Sequence, residues 1–346
     1  MAENSKIEWT DHTFNPWRGC TKVSPGCAHC YAETLSKRNP KVLGEWGPGR
    51  PRVLASEEMW RTPLKWNREA GVRMNNAAVI RGNGISSNRL DEPERRPRVF
   101  CASLADWLDE EVPVKWLARL LGLIYETPNL DWLLLTKRPQ NWEERHELAT
   151  SYLMQTSSAA DSWAVDWMNG YAPENVWMGT TVEDQVRADE RVPELLKIPA
   201  RVRFLSCEPL LGPVDFVKAG AFWSDLNGVV KPEYQQTRTH INWVICGGES
   251  GPKARPMHPD WARGLRDQCA AAGVPFLFKQ WGEWVYPQYA DPSASFDDFP
   301  KAARGQVWTS TGPDSRKGYD LLRLGKKAAG RLLDGREWSE FPKVRG

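Results

Sequence analysis

The chain has 346 residues, room for one large domain or two ordinary ones, and its 41% hydrophobic and 26% charged content is that of a soluble globular protein. A formal charge of +2 excludes a bulk electrostatic grip on DNA, though it leaves room for a local basic groove. No apolar run approaches the roughly 20 residues of a membrane helix and Met1-Ala2-Glu3-Asn4-Ser5-Lys6 leads into no signal-peptide core, so a cytoplasmic protein without a membrane partner is expected.

In chain order, the first distinctive stretch is Asn15-Pro16-Trp17-Arg18-Gly19-Cys20-Thr21-Lys22-Val23-Ser24-Pro25-Gly26-Cys27-Ala28-His29-Cys30-Tyr31, which crowds three of the seven cysteines into one Gly- and Pro-punctuated loop. An odd cysteine count clustered in this way points to metal binding or catalysis rather than to a disulfide framework. Residues 31–38 then read as a short helix ended by Asn39-Pro40. Residues 40–97 are rich in Gly, Pro, Asn and Arg and read as an insertion or lid, partly helical near 57–67.

From residue 98 short apolar runs of strand character each close on a polar cluster. Runs 98–102, 132–135 and 176–179 precede Ser103 and Asp106, Thr136-Lys137-Arg138, and Thr180-Thr181-Val182-Glu183. Runs 202–205, 243–246 and 275–278 precede Ser206-Cys207-Glu208, Gly247-Gly248-Glu249 and Lys279-Gln280-Trp281. Helical patterns lie between them, at 113–126 with Val114, Leu117, Leu120, Leu121 and Ile124 on one stripe, and at 260–272 before Gly273.

With a first strand before Cys20 this rhythm gives about seven βα units, hence an α/β fold with a mainly parallel sheet. Such units close into a barrel or open into a doubly wound sheet, and both place ligand-binding residues at the carboxyl ends of strands. The absence of Gly-x-Gly-x-x-Gly after a strand, and of a P-loop, lowers the dinucleotide and nucleotide-triphosphatase readings. Residues 1–283 are expected to form the barrel domain, with insertions at 40–97, 151–175 and 216–241. Residues 284–346 are read as a C-terminal extension packing on it, ending in a short basic helix within 325–335.

The cysteine pattern Cys20-x6-Cys27-x2-Cys30 offers three thiolates. Tetrahedral zinc would want a fourth ligand, for which His29 is the nearest candidate, yet adjacent His29 and Cys30 seldom point at one ion and no second Cys-x-x-Cys follows. A [4Fe-4S] cluster normally takes four cysteines, so three would leave one iron open to a small chelating ligand, which makes the site catalytic. The nineteen tryptophans either pack under long loops or form a stacking floor for flat substrates such as bases.

The run from Asn15 to Cys20, ending in Cys27-Ala28-His29-Cys30-Tyr31, resembles the cluster loop of radical S-adenosylmethionine (radical SAM) enzymes, particularly the branch near spore photoproduct lyase. The segments Gly179-Thr180-Thr181-Val182-Glu183-Asp184-Gln185, Ser206-Cys207-Glu208-Pro209-Leu210-Leu211-Gly212, Gly247-Gly248-Glu249-Ser250-Gly251, Phe278-Lys279-Gln280-Trp281-Gly282 and Gly325-Lys326-Lys327-Ala328-Ala329-Gly330-Arg331 resemble an uncharacterised phage and prophage three-cysteine-motif family. That likeness covers most of residues 5–340. Two features depart from the usual radical SAM pattern: the first gap holds six residues rather than three, and Gly247-Gly248-Glu249 follows a late strand rather than the second.

The resemblance implies a partial or full (β/α) barrel of the radical SAM type, with Cys20, Cys27 and Cys30 holding a [4Fe-4S] cluster. S-adenosylmethionine would chelate the open iron and, given one electron from a reducing donor, yield a 5′-deoxyadenosyl radical that abstracts hydrogen from a substrate. By strand-end position, Asp106 is expected at the methionine amino group, Arg138 or Lys137 at its carboxylate, and Thr180, Thr181 and Glu183 at the ribose, with Tyr31, Ser103 and Glu208 completing the cofactor-binding set. Each of these also suits an ordinary helix cap or loop hydrogen bond. Cys207, Glu249 and Lys279 are candidate catalytic groups, against readings as a packed thiol and as members of a salt bridge; Cys101 and Cys246 read chiefly as core.

Three functions follow. The first is a radical enzyme acting on DNA, RNA or a nucleotide base, in modification or repair, helped by the basic stretches Arg95-Arg96-Pro97-Arg98, Lys253-Ala254-Arg255 and Lys326-Lys327. The second gives the same chemistry a peptide or small metabolite; the third is a non-enzymatic, zinc-stabilised nucleic-acid-binding module.

Overall fold

A computed structural model describes residues 3–82, 95–156, 158–236, 239–286, 307–311 and 318–343. Parts of the expected insertions at 40–97, 151–175 and 216–241, and of the extension at 284–346, therefore lie outside the described residues. The elements run β1 (His12–Phe14), β2 (Trp17–Arg18), α1 (Tyr31–Ser36), α2 (Pro40–Leu43), β3 (Val53–Leu54), α3 (Glu57–Gly82), β4 (Arg98–Cys101), α4 (Val114–Glu126) and β5 (Asp131–Thr136). They continue with α5 (Trp142–Gln155), α6 (Asp161–Met168), β6 (Val176–Thr181), α7 (Gln185–Lys197), β7 (Val202–Cys207), α8 (Pro232–Gln236), β8 (Trp243–Gly247), α9 (Pro259–Ala272), β9 (Phe276–Gln280), β10 (Trp284–Val285), β11 (Val307–Thr311), β12 (Gly318–Arg323) and α10 (Lys326–Ala329).

Seven strands form one sheet in the order β1-β4-β5-β6-β7-β8-β9, which follows the chain as in a partial (β/α) barrel. The pairs β1–β4, β4–β5, β7–β8 and β8–β9 are parallel. The α/β class with a parallel sheet is thus as the sequence rhythm predicts. All six residues of β6 are buried, as are five of six in β5, the pattern of strands covered on both faces. Among the described residues two smaller antiparallel sheets, β10-β12-β11 and β2-β3, hold the other strands.

The helices obey their sequence signals where those are strong. In α4, Leu117, Leu120, Leu121 and Ile124 are buried on the stripe that the 3.6-residue period sets. Helix α9 opens with Pro259, its His258 cap accepts the Asp260 N–H at 3.1 Å, and Gly273 closes it in the left-handed region at φ 66°. Helix α3 runs well beyond the 57–67 that the sequence suggests. Pro63 and Gly71 hide its period, but Trp60, Pro63, Trp66 and Ala70 fall on one buried stripe, and their packing outweighs the weak local propensity. The segment 151–175 holds the end of α5 and all of α6.

The chain divides into two compact units. Met1–Thr21, Leu35–Met178 and Ile198–Arg201 form the first, whose core sets Phe14 edge-on to Trp60 and Trp132 at 5.4 and 5.8 Å. Lys22–Thr34, Gly179–Lys197 and Val202–Gly346 form the second, in which Trp243 meets Phe204 at 5.9 Å and Phe341 at 5.1 Å. There the C-terminal segment is stitched to the last two sheet strands: Trp243 Nε1 donates to Glu340 O at 2.9 Å, and Phe278 N to Trp338 O at 2.9 Å. Among the described residues no helix is long and apolar enough to cross a membrane.

Candidate functional site

In the first unit, the connection after β1 and β2 delivers Cys20. Gly19 precedes it at φ 99°, where a Cβ would lie 2.8 Å from Glu45 O, so only glycine fits this bend. The Cys20 sulfur lies 3.8 Å from Arg138 Nη1, and Arg138 Nη2 donates to Thr21 O at 2.7 Å. Arg138 is held in turn by Asp106, Nη1 to Oδ2 at 3.0 Å, with both side chains buried. Asp106 also accepts from Thr136 Oγ1 at 2.6 Å, Lys137 N at 2.8 Å and Leu108 N at 3.1 Å.

Around this core, Thr21 Oγ1 donates to Glu111 and accepts from Arg52, whose Nε pairs with the fully buried Asp109 at 2.9 Å. Ser103 Oγ accepts from Asn15 Nδ2 at 3.0 Å, and Asn15 Oδ1 accepts from Leu104 N at 2.7 Å. Burial pushes the Cys20 thiol up to about 12, Asp106 and Asp109 add to the rise, and Arg138 opposes it. Such a thiol stays protonated at neutral pH, so a bound cation would have to displace the proton. Burial alone would lower the Arg138 pKa, but Asp106, Cys20 and Asp109 drive it above its ordinary value.

In the second unit, Cys27 ends a 3-10 turn, Pro25–Cys27, and Cys30 precedes α1, whose Thr34 N–H its carbonyl accepts at 3.1 Å. Both thiols are free and half-exposed. Two strand-end carboxylates reach this stretch. Glu183, after β6, accepts from Ser24 Oγ, from Gly26 N at 3.2 Å and from Arg191 Nη1 at 2.8 Å. Glu249, after β8, lies 3.2 Å from His29 Nδ1 and is gripped by Arg255 through Nη2 at 2.7 Å and Nε at 2.8 Å. Burial would raise the Glu249 carboxyl, but the hydrogen bonds from Arg255 and His29 and the charge of Arg255 hold it below its ordinary value.

The remaining predicted residues of this unit cluster at the ends of β6 to β9. Lys279 pairs with Glu208 at 3.0 Å, both half-buried, and Ser206 Oγ lies 3.5 Å from the same carboxylate. Cys207 is fully buried opposite Cys246 in the β7–β8 register, and burial raises both thiols well above the ordinary value. Thr180 and Thr181 are buried within β6, whereas Tyr31 is 55% exposed. Gln280 Nε2 donates to Ser250 Oγ at 3.0 Å.

The structure thus groups Cys20 with Arg138 and, through it, Asp106, which the Lys137 N–H also meets, and the turn ending in Cys27 with Glu183, while Glu249 meets His29 and Glu208 meets Lys279. It adds Asn15, Arg52, Arg191 and Arg255. These four carry no spacing signal, because their partners are reached by folding, although Asn15 stands at the head of the cysteine-loop run. Among the described residues no group of three or more His, Cys, Asp or Glu side chains is gathered as a metal site. What the loop carries is three cysteines free of disulfide bonds, Cys20 in the first unit and Cys27 and Cys30 in the second, and thiols are the donors that suit zinc or an iron–sulfur cluster.

A parallel-sheet α/β protein with a three-thiol loop after its first sheet strand is the class that fold and site define. The chain belongs to the family described as a protein of unknown function, DUF5131, which residues 4–342 match. No curated protein and no solved structure matches it.

Proposed function

We propose that the chain is a radical SAM enzyme in which Cys20, Cys27 and Cys30 hold a [4Fe-4S] cluster with one iron left for S-adenosylmethionine. The observation that carries this reading is the trio of free thiols in the connection after β1, where βα folds place ligand-binding residues. When bound, cluster and cofactor supply one-electron cleavage of a sulfonium and removal of a hydrogen atom from the substrate.

The chain's own residues orient and enclose. Arg138, 3.8 Å from the Cys20 sulfur, or Lys137 is proposed for the methionine carboxylate and Asp106 for its amino group, Asp106 also fixing Arg138 and the 136–138 turn through the Lys137 N–H. Thr180, Thr181 and Glu208, with Tyr31 and Ser103, are the remaining groups proposed for the cofactor, and Cys207, Glu249 and Lys279 those proposed for the substrate reaction. The proposed substrate is a DNA, RNA or nucleotide base. Its support is the resemblance together with exposed Lys253, Lys326 and Lys327. Arg95, Arg98 and Arg255 are neutralised by Asp11 and Glu249, and Trp9, Trp17 and Trp281 are spent on packing.

One contact favours a second reading. His29 Nδ1 against Glu249 is the carboxylate–histidine arrangement that readies the other ring nitrogen for a metal, so a Cys3His zinc module is the competitor. Protein purified without oxygen decides between them. A brown protein with broad absorption near ~400 nm and roughly four irons per chain supports the cluster, and a colourless one with a single zinc overturns it. Release of 5′-deoxyadenosine on reduction with S-adenosylmethionine, stimulated by DNA, RNA or nucleotides, supports the substrate class; stimulation by none of them refutes it.

A further inference from the structure

We infer that the buried Glu183–Arg191 pair is a positioning clasp for the turn that carries Cys27, rather than a ligand-binding group in its own right. Glu183 is fully buried two residues past β6. Arg191, two turns into α7, aims Nη1 at Glu183 Oε2 and at Thr181 O, both at 2.8 Å, so one carboxylate oxygen is fixed from within the second unit. The other, Oε1, takes the Ser24 hydroxyl and the Gly26 N–H.

The fit leaves no spare space. A Cβ at Gly26 would lie 2.7 Å from Glu183 Oε1, so glycine here is required by close approach. Ser24 Oγ stands 3.7 Å from Cys27 Sγ, which carries the carboxylate's hold on the turn to the thiol itself. On the far side of Cys27, Glu249 and Arg255 repeat the device on His29. A buried carboxylate with three donors, two of them from one loop, spends its binding capacity on that loop; a ribose hydroxyl would have to displace them. Fixing donor atoms before the metal arrives is what outer-shell partners do.

The inference rests on the proposed function for the claim that Cys27 is a ligand, but its test does not. Metal-free protein is alkylated under native conditions, and the rates at Cys27 and Cys30 are read by mass spectrometry for wild type, Glu183→Ala and Glu183→Gln. Loss of two hydrogen bonds should speed Cys27 labelling about tenfold in Glu183→Ala, and the amide, which keeps one acceptor oxygen for Ser24 and Gly26 but turns its NH2 toward Arg191, should restore part of the difference.

In the iron-loaded protein, Glu183→Ala should also change the electron paramagnetic resonance spectrum of the reduced cluster, which a loss of stability alone would leave as it is. Unchanged Cys27 labelling in a folded Glu183→Ala, judged by circular dichroism, overturns the clasp. Should that variant not fold, Gly26→Ala presses on Oε1 from the loop side and is read against the same expectation. If wild type takes up no iron the proposed function falls, while labelling still decides the clasp.

Discussion

Arg138 Nη1 sits 3.0 Å from Asp106 Oδ2 with both side chains buried, and the same guanidinium nitrogen lies 3.8 Å from the Cys20 sulfur. One arginine thus neutralises a strand-end carboxylate and holds positive charge against a thiol expected to bind metal. Arg138→Met leaves the buried Asp106 carboxylate with its Thr136, Lys137 and Leu108 donors but without its counter-charge, which should cost about 3 kcal/mol in urea unfolding. Arg138→Lys keeps the charge but loses the fork to Thr21, and should fall between.

Cys27→Ala should abolish cluster binding, whereas Cys269→Ala, buried on α9, should leave the iron content of wild type. Iron analysis of the two purified variants checks this. Retained iron in the first would refute the ligand assignment.

A pH effect follows from His146 on α5, which packs against Trp142 and Trp167 at 5.1 and 4.9 Å. Burial lowers its pKa to about 4. The unfolded chain, titrating near 6.5, therefore binds more protons between these values. His146 contributes stability fully above pH about 6.5, and about 3 kcal/mol is lost as the pH falls toward 4.

Asp131 acts in the opposite sense. Burial raises its carboxyl to about 6 against the charges of Arg96 and Arg98, so its contribution is present at low pH and lost as the pH rises from 3.8 through about 6. The measurement is therefore the difference in unfolding free energy between wild type and His146→Leu across pH 4 to 7. It should shrink toward acid, and a constant difference would contradict the assignment.

Gly273→Ala should destabilise by about 1–2 kcal/mol, since alanine resists the left-handed region. A Cβ there would also lie 3.0 Å from Pro232 side-chain atoms. Gly273→Asn should cost less on the backbone term, because asparagine tolerates this region better, and thermal unfolding of the pair gives the order.

Much of the fold was legible because its signals are local. Each sheet strand from β4 to β9 is an apolar run ending in polar residues, and α4 and α9 announce themselves by stripe, proline and glycine. Helix α3 was only partly legible, because Pro63 and Gly71 interrupt the propensity that its buried tryptophans override. The candidate residues were legible as strand-end polar groups, but their partners were not. Glu249 and Arg255 are six residues apart, and Asp106 and Arg138 are thirty-two apart, and neither separation is distinctive in a sequence.

By itself the sequence determined the α/β class, the succession of strands and helices along the chain and the three-thiol loop, since periodicity, turn residues and cysteine spacing are written residue by residue, whereas the barrel-like sheet order β1-β4-β5-β6-β7-β8-β9 came from the fold. Tertiary structure alone decided what each charged group does: that Asp106 holds Arg138, that Glu183 holds Ser24 and Gly26, and that Glu249 reaches His29. A buried charge must be satisfied by whatever donor folding brings to it, and no local pattern says which donor that will be.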